Sequence, residues 1–394
     1  GWGPALTVLA NEPATRLASV DLAAIPLFIL MGTFANAAGF SRDLFSVAAS
    51  FLGHRRGGLA YAALGASASF GAVCGSSTAT AATFGKVALP EMIRHGYSPS
   101  LSSGTVAAGG ALKSLIPPAI VMIIYALATN VFIFDLFAAA ILPAILTIGL
   151  NFLAIAIVVR LNPDAAPLGV RIVWTERWDS LKKATPAIVL VLIVFVGFYS
   201  GIFTISEAAS MAAVLAFLFA FLRGGLTKGK LIDGFTDAAG VTAMLFAIMI
   251  GADIFGYALT VARAPDAAVE AIVALQYDPV VIITAIILLY IFLGAVFDEF
   301  AVMLITLPFV LPVVVGFGYD PVWWGVINII IIEIGLICPP IGLVVFLLHG
   351  MHPSIPLKTM YKGIFPFLIA NLLVLALILA FPQITAWLPA LING

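Results

Sequence analysis

Charge is what this sequence has least of: 9% of its 394 residues are Asp, Glu, Lys or Arg, while 63% are hydrophobic. A soluble globular domain averages about 25% charged and about 45–50% apolar residues. A soluble chain of this length has no interior large enough to hide so much apolar surface, so the lipid bilayer must be its solvent. The net charge of −1 leaves no basic footprint for nucleic acid. Cysteine is nearly missing too: Cys74 and Cys338 both lie in apolar segments, which excludes a disulfide framework or a thiolate metal centre. The four histidines (His54, His95, His349, His352) fall at the predicted membrane edges. They form neither a His-Glu-x-x-His pair nor a Ser–His arrangement, which argues against an intramembrane protease. No phosphate-binding loop, starting Met or signal peptide is present, and Gly1-Trp2-Gly3-Pro4 reads as an interior start.

What is there is apolar and helical. Runs such as Ile133–Val159, Pro186–Ile202 and Val280–Phe297 are long enough to cross or deeply enter a core of about 30 Å. They are apolar all round, whereas barrel strands alternate polar and apolar over about 10 residues. The positive charges give the topology. Two stretches, 59–93 and 280–315, are read as dipping into the membrane and returning. Arg42, Arg55, Arg56, Arg94, Arg160, Arg171, Arg177, Lys182, Lys183, Arg223, Lys228, Lys230, Lys358 and Lys362 then share one side. Arg16 and Arg263 take the other, and Lys86 and Lys113 stay in the apolar layer. The crowded side is the cytoplasm by the positive-inside rule. An ordinary crossing in place of either dip would mix the loops.

The two halves repeat. Pro90, Gly96-Tyr97, Pro99 and Pro117-Pro118 recur as Pro312, Gly318-Tyr319, Pro321 and Pro339-Pro340, each 222 residues on. Gly71-Ala72-Val73 recurs as Gly294-Ala295-Val296 with one residue of slippage. The charge pattern makes the first dip enter from the cytoplasm and the second from the opposite face. The expected fold is therefore an all-α polytopic membrane protein: an inverted-topology repeat with two re-entrant helical hairpins and broken helices. The first repeat spans 1–160, with its hairpin at about 58–94 and its broken helix at about 101–129. A polar cytoplasmic linker covers 161–183. The second repeat spans 184–394, with its hairpin at about 280–315 and its broken helix at about 322–347.

In such folds the solute site lies near the midplane, where helix N-termini and freed carbonyls meet. The hairpin tips are Gly75-Ser76-Ser77-Thr78-Ala79-Thr80 and Asp298-Glu299; the breaks are at Pro117-Pro118 and Cys338-Pro339-Pro340. Paired prolines free carbonyls at membrane depth, and these must face protein or a ligand. Buried hydroxyls often merely bond the carbonyl one turn back, yet a cluster beside glycine at a tip points to ligand or ion contact. Glu207 and Glu333 lie in apolar runs where a carboxylate is costly, so both are functional candidates, with helix capping the alternative for Glu207.

These residues carry a resemblance. The chain resembles the large membrane subunit of tripartite ATP-independent periplasmic transporters over nearly its whole length. The shared motifs are Ala24-Ile25-Pro26-Leu27-Phe28-Ile29-Leu30-Met31-Gly32, the Gly75–Thr80 tip, Pro90-Glu91-Met92, Gly96-Tyr97, Gly109-Gly110 and Ile116-Pro117-Pro118. Asp298, Pro308, Pro312, Gly335, Pro339-Pro340 and Gly342 extend them. The resemblance implies an elevator-type secondary transporter of the inner membrane that imports small organic acids, carboxylates or sulfonates. It further implies a periplasmic substrate-binding protein, a small membrane subunit, and a sodium gradient as the energy source with no other cofactor; protons enter as the alternative coupling ion only through the buried, titratable Lys113. A related ion-coupled anion transporter that needs no binding protein is the rival reading. The family's first transmembrane helix has no counterpart here, in keeping with the interior-looking start. Carried over residue by residue, Ser76, Ser77, Thr78 and Thr80 would line the first ion and substrate region. Asp298 would serve the second tip, with sodium near Ser76, Ser77 and Asp298, while Gly110 and the Pro-Pro breaks would supply backbone.

The departures are informative. Where the family usually has Gly-Thr-Leu-Gly before the first Pro-Pro, this chain reads Gly110-Ala111-Leu112-Lys113; Ala119 replaces a Ser, Cys338 a Thr and Ile331 an Asn. Several expected oxygen ligands are thus missing. Lys113 sits mid-crossing, where an isolated ammonium is expensive. Either it snorkels to an interface, or its ammonium occupies or neighbours the place of the first sodium ion, among freed carbonyls and the Ser76–Thr80 tip.

Overall fold

The computed structural model describes residues 2–169, 172–274 and 276–393; Gly1 and Arg171, which entered the sequence reading, lie outside them. Every regular element among the described residues is helical. Eight of these helices are long and apolar enough to cross a membrane, or nine if Leu6–Leu17 and Asp21–Ala37, which meet at 60°, count as one bent span.

The repeat is visible in where helices begin. The first hairpin has arms Gly58–Cys74 and Ser77–Arg94, followed by Pro99–Ala111. The second has arms Pro279–Val296 and Glu299–Gly316, followed by Pro321–Ile337. The starts at Ser77 and Pro99 thus recur 222 residues later at Glu299 and Pro321. The same chemistry sets them. Ser76 and Asp298 cap the returning arms, Ser98 and Asp320 cap the following helices, and proline fills the first position of both of the latter. Gly75 ends the first arm in the left-handed region, at φ 68°, where a Cβ would be strained.

Each following helix then breaks. Pro99–Ala111 tightens to a 3₁₀ turn over Leu112–Leu115, stops at the cis Pro117-Pro118 bond and resumes as Ile120–Thr129. Pro321–Ile337 stops at the cis Pro339-Pro340 bond and resumes as Leu343–Met351.

With no water to drive helices together, close backbone packing and interhelical hydrogen bonds hold such a bundle. The first broken helix is made of small residues and crosses Leu357–Ala380 so closely that a Cβ on Gly104 would lie 2.1 Å from the Gly363 carbonyl oxygen. Buried Asn151, on Ile133–Leu161, donates to the Asn371 side chain at 2.8 Å, and Tyr125 donates to the Pro321 carbonyl at 2.7 Å. Both bonds tie one half of the chain to the other. The polar stretch between the halves turns helical at Trp174. There the Arg177 guanidinium lies over the Phe51 and Trp174 rings, at 5.7 and 5.2 Å.

Candidate functional site

The two hairpin tips meet. A cavity of about 690 Å³ is lined by Gly75, Ser76, Ser77 and Thr78 from the first tip and by Asp298 and Glu299 from the second. Opposite them stand Gly32, Thr33 and Asn36 of Ala24–Ala37 and Thr236, Asp237 and Gly240 of Lys228–Val261. Sequence reading found the tips but missed Asn36, Thr236 and Asp237. They belong to no repeated motif, and their only signal is a polar side chain in a long apolar helix. Gly32 has a steric reason: a Cβ there would lie 2.5 Å from the Cys74 carbonyl oxygen.

Neither Ser76 nor Ser77 bonds a carbonyl one turn back. The Ser76 hydroxyl accepts from the Ala79 N–H at 3.3 Å and pairs with the Thr78 hydroxyl at 3.1 Å. Ser77 pairs with Ser114 at 3.4 Å. Asp298 uses one carboxylate oxygen to accept from the Phe300 and Ala301 N–H groups, at 3.0 and 3.3 Å. Both tips therefore aim the N-terminal end of a capped helix at the cavity, the end that favours negative charge.

Behind the cavity wall lies a buried charge cluster drawn from all four repeated elements. Lys113 is 0% exposed, so it does not snorkel. Its ammonium donates to the Gly75 carbonyl at 2.8 Å and lies 3.9 Å from Glu299 Oε1. Glu333 Oε1 accepts the Leu115 N–H at 2.9 Å, so the first break offers a freed N–H and not carbonyls alone. Thr80 is fully buried and does not line the cavity.

Other expected ligands are placed differently. Pro117 and Pro118 face an apolar crevice with Phe137, Val194, Phe195 and Phe198, not the polar cavity. Pro339, Pro340 and Cys338 also lie off the cavity lining. The freed carbonyls of Pro340 and Ile341 are taken by the Tyr361 hydroxyl, at 3.1 and 2.6 Å, because backbone at membrane depth needs a partner. Gly335 and Gly110 are packing residues: added Cβ atoms would lie 2.6 Å from the Gly294 carbonyl carbon and 2.7 Å from the Ala81 Cβ. Glu207 is the third helical residue after the Thr204 cap of a capping box, its carboxylate accepting the Thr204 N–H at 2.8 Å while the Thr204 hydroxyl accepts the Glu207 N–H at 3.3 Å. The Thr204-x-x-Glu207 spacing carried that signal.

The sequence model of the family described as the tripartite ATP-independent periplasmic transporter, DctM component, matches residues 3–384. The chain belongs to the DctM family. Curated members similar to it include the C4-dicarboxylate TRAP transporter large permease protein DctM of Pseudomonas aeruginosa, 34% identical over 99% of this chain and 93% of that protein. The sialic acid TRAP transporter large permease protein SiaM of Vibrio cholerae is 31% identical over 98% of this chain and 90% of that one. The isethionate TRAP transporter permease protein DctMQ of Oleidesulfovibrio alaskensis is 32% identical over 97% of this chain, which spans 59% of that longer protein. The crystal structure of the Alcanivorax borkumensis YdaH transporter shares the fold, with a TM-score of 0.63 at 18% identity over 97% of this chain and 88% of that one. This DctM-family chain is a transport permease subunit, a multi-pass protein of the bacterial inner membrane and not an enzyme.

Proposed function

We propose that this permease imports a small organic acid, a carboxylate or sulfonate, by cation-coupled elevator movement of its hairpins and broken helices. One observation carries the reading: both capped tips converge on one cavity, which holds hydroxyls, backbone and two carboxylates against a polar face of two non-repeated helices. An anion suits the helix N-termini, and a monovalent cation suits the carbonyl and hydroxyl oxygens of Ser76, Ser77 and Asp298. The relatives named for C4-dicarboxylate, sialic acid and isethionate all handle acids, which supports the substrate class. Asn36 and Thr236 lie toward the helix ends next to Arg42 and Lys228, which supports reading the cavity as part of the cytoplasmic half and the conformation as an inward-facing one. The acid arrives on a periplasmic binding protein, and a small membrane subunit completes the scaffold.

The test is uptake into proteoliposomes holding the permease with its small subunit. Uptake is expected only when loaded binding protein and an inward sodium gradient are both supplied. Uptake that ignores both the sodium and the proton gradient refutes the coupling. Uptake of free acid without the soluble partner favours the binding-protein-independent transporter. For the movement, a cleavable thiol cross-linker joining Thr33→Cys to Thr78→Cys, both on the cavity lining, should halt uptake until it is cleaved; unchanged uptake in the cross-linked protein refutes the elevator.

A further inference from the structure

The two repeats make the same crossing with different side chains. Lys113 lies 222 residues before Gly335. At the first crossing, a Cβ on Gly71 of the hairpin arm would lie 2.2 Å from the Lys113 Cβ. At the second, a Cβ on Gly335 would lie 2.6 Å from the backbone of Gly294, the residue matched to Gly71. Backbone meets backbone in both places, and only the first repeat adds an ammonium. That ammonium is fully buried and seated on the Gly75 carbonyl at the hairpin tip, 3.9 Å from a carboxylate that is itself only 8% exposed.

A carbonyl oxygen at the end of a hairpin arm beside a buried carboxylate is what a small monovalent cation would take as ligands. We infer that the Lys113 ammonium is a tethered cation that fills one coupling-ion position permanently, so that this chain carries one fewer exchangeable sodium ion than the same scaffold would with glycine there. A second observation points to a cation independently: Glu299 Oε2 is buried with no hydrogen-bond partner. The Lys113 contact at Oε1 thus leaves the second carboxylate oxygen uncommitted. The cluster has only one positive charge for Glu299 and Glu333, with Asp298 one residue away and the hydroxyls of Ser77 and Ser114 beside them. Removing the ammonium would leave the Gly75 carbonyl and Glu299 facing a vacated space of side-chain size. Such a space at membrane depth is costly unless a cation enters.

The inference rests on the cation-coupled reading, but its test needs no gradient. Equilibrium binding of radiolabelled sodium to the purified permease is compared for the parent, Lys113→Gly, Lys113→Ala and Lys113→Met. The glycine and alanine variants are expected to bind one more sodium ion per chain than the parent. Butylammonium, the side chain removed, should compete with that extra ion and not with sodium bound by the parent. Lys113→Met fills the space without charge and should gain no sodium. Equal stoichiometry in the parent and whichever of the two truncated variants folds, or a gain in the methionine variant, overturns the inference. Failure of gradient-driven uptake in the parent, by contrast, bears on the coupling reading and leaves the binding count to stand or fall by itself.

Discussion

The first broken helix is rich in Ser, Gly and Ala and carries a buried lysine in its last turn, whereas the second is rich in Ile and Trp and carries Gly335 at the matching place. The tips differ in the same sense: a neutral serine caps the first returning arm and an aspartate the second. The breaks differ in polarity as well. At the first, Glu333 holds a freed N–H; at the second, Tyr361 holds freed carbonyls. The backbone symmetry has been kept while the charge has been redistributed, with the cation in one repeat and the carboxylates in the other. The lesson is that a duplicated scaffold fixes where chain ends and breaks meet, and that side chains then divide the electrostatic roles between the copies.

Six substitutions at five positions break or sharpen this contrast. The largest effect is expected from Gly335→Val, which pushes a side chain into Gly294 backbone that cannot yield. It should cost about 3 kcal/mol and abolish uptake, read by thermal unfolding in detergent and by proteoliposome assay. Glu333→Ala comes next: the Leu115 N–H is left buried and unpaired, at about 2–3 kcal/mol, with uptake lost. Glu333→Gln keeps an acceptor for that N–H and should regain most of the stability, so equal damage by the two would show that the bond to Leu115 is unimportant. Asp298→Ala should cost about 1–2 kcal/mol for the lost cap and lower uptake more than tenfold. Ser76→Ala should match it in stability and fall well short of it in transport, and if the two reduce transport equally the tips are not electrostatically distinct. The smallest effect is expected from Tyr361→Phe, about 1 kcal/mol for the orphaned carbonyls, with uptake reduced a few-fold.

The hairpin arms, their caps and both breaks were legible because Gly, Ser, Asp and Pro act locally and because the repeat prints each signal twice. The tip residues followed from the same local logic, and Lys113 stood out as an ammonium in an apolar run. What could not be read was partnership across long separations. Leu115 meets Glu333 over 218 residues, and periodicity holds no information about which carboxylate reaches which N–H. The surroundings of the first Pro-Pro could not be read for a related reason. Proline marks a break, but neighbouring helices decide whether the break faces solute or apolar protein, and Val194 and Phe198 made it the latter. Asn36, Thr236 and Asp237 are outside the repeat, so no internal comparison singled them out.

The contact at Gly32 has a mechanical corollary. Where a helix rests on the Cys74 backbone with no side chain between them, the two surfaces attract by close contact but no side chain is keyed into a hole that movement along the surface would have to empty. A joint of that sort behaves as a smooth bearing rather than a latch. In the proposed elevator movement, such a joint would let the tip slide past its neighbour and leave the resting position to the ions and the cargo.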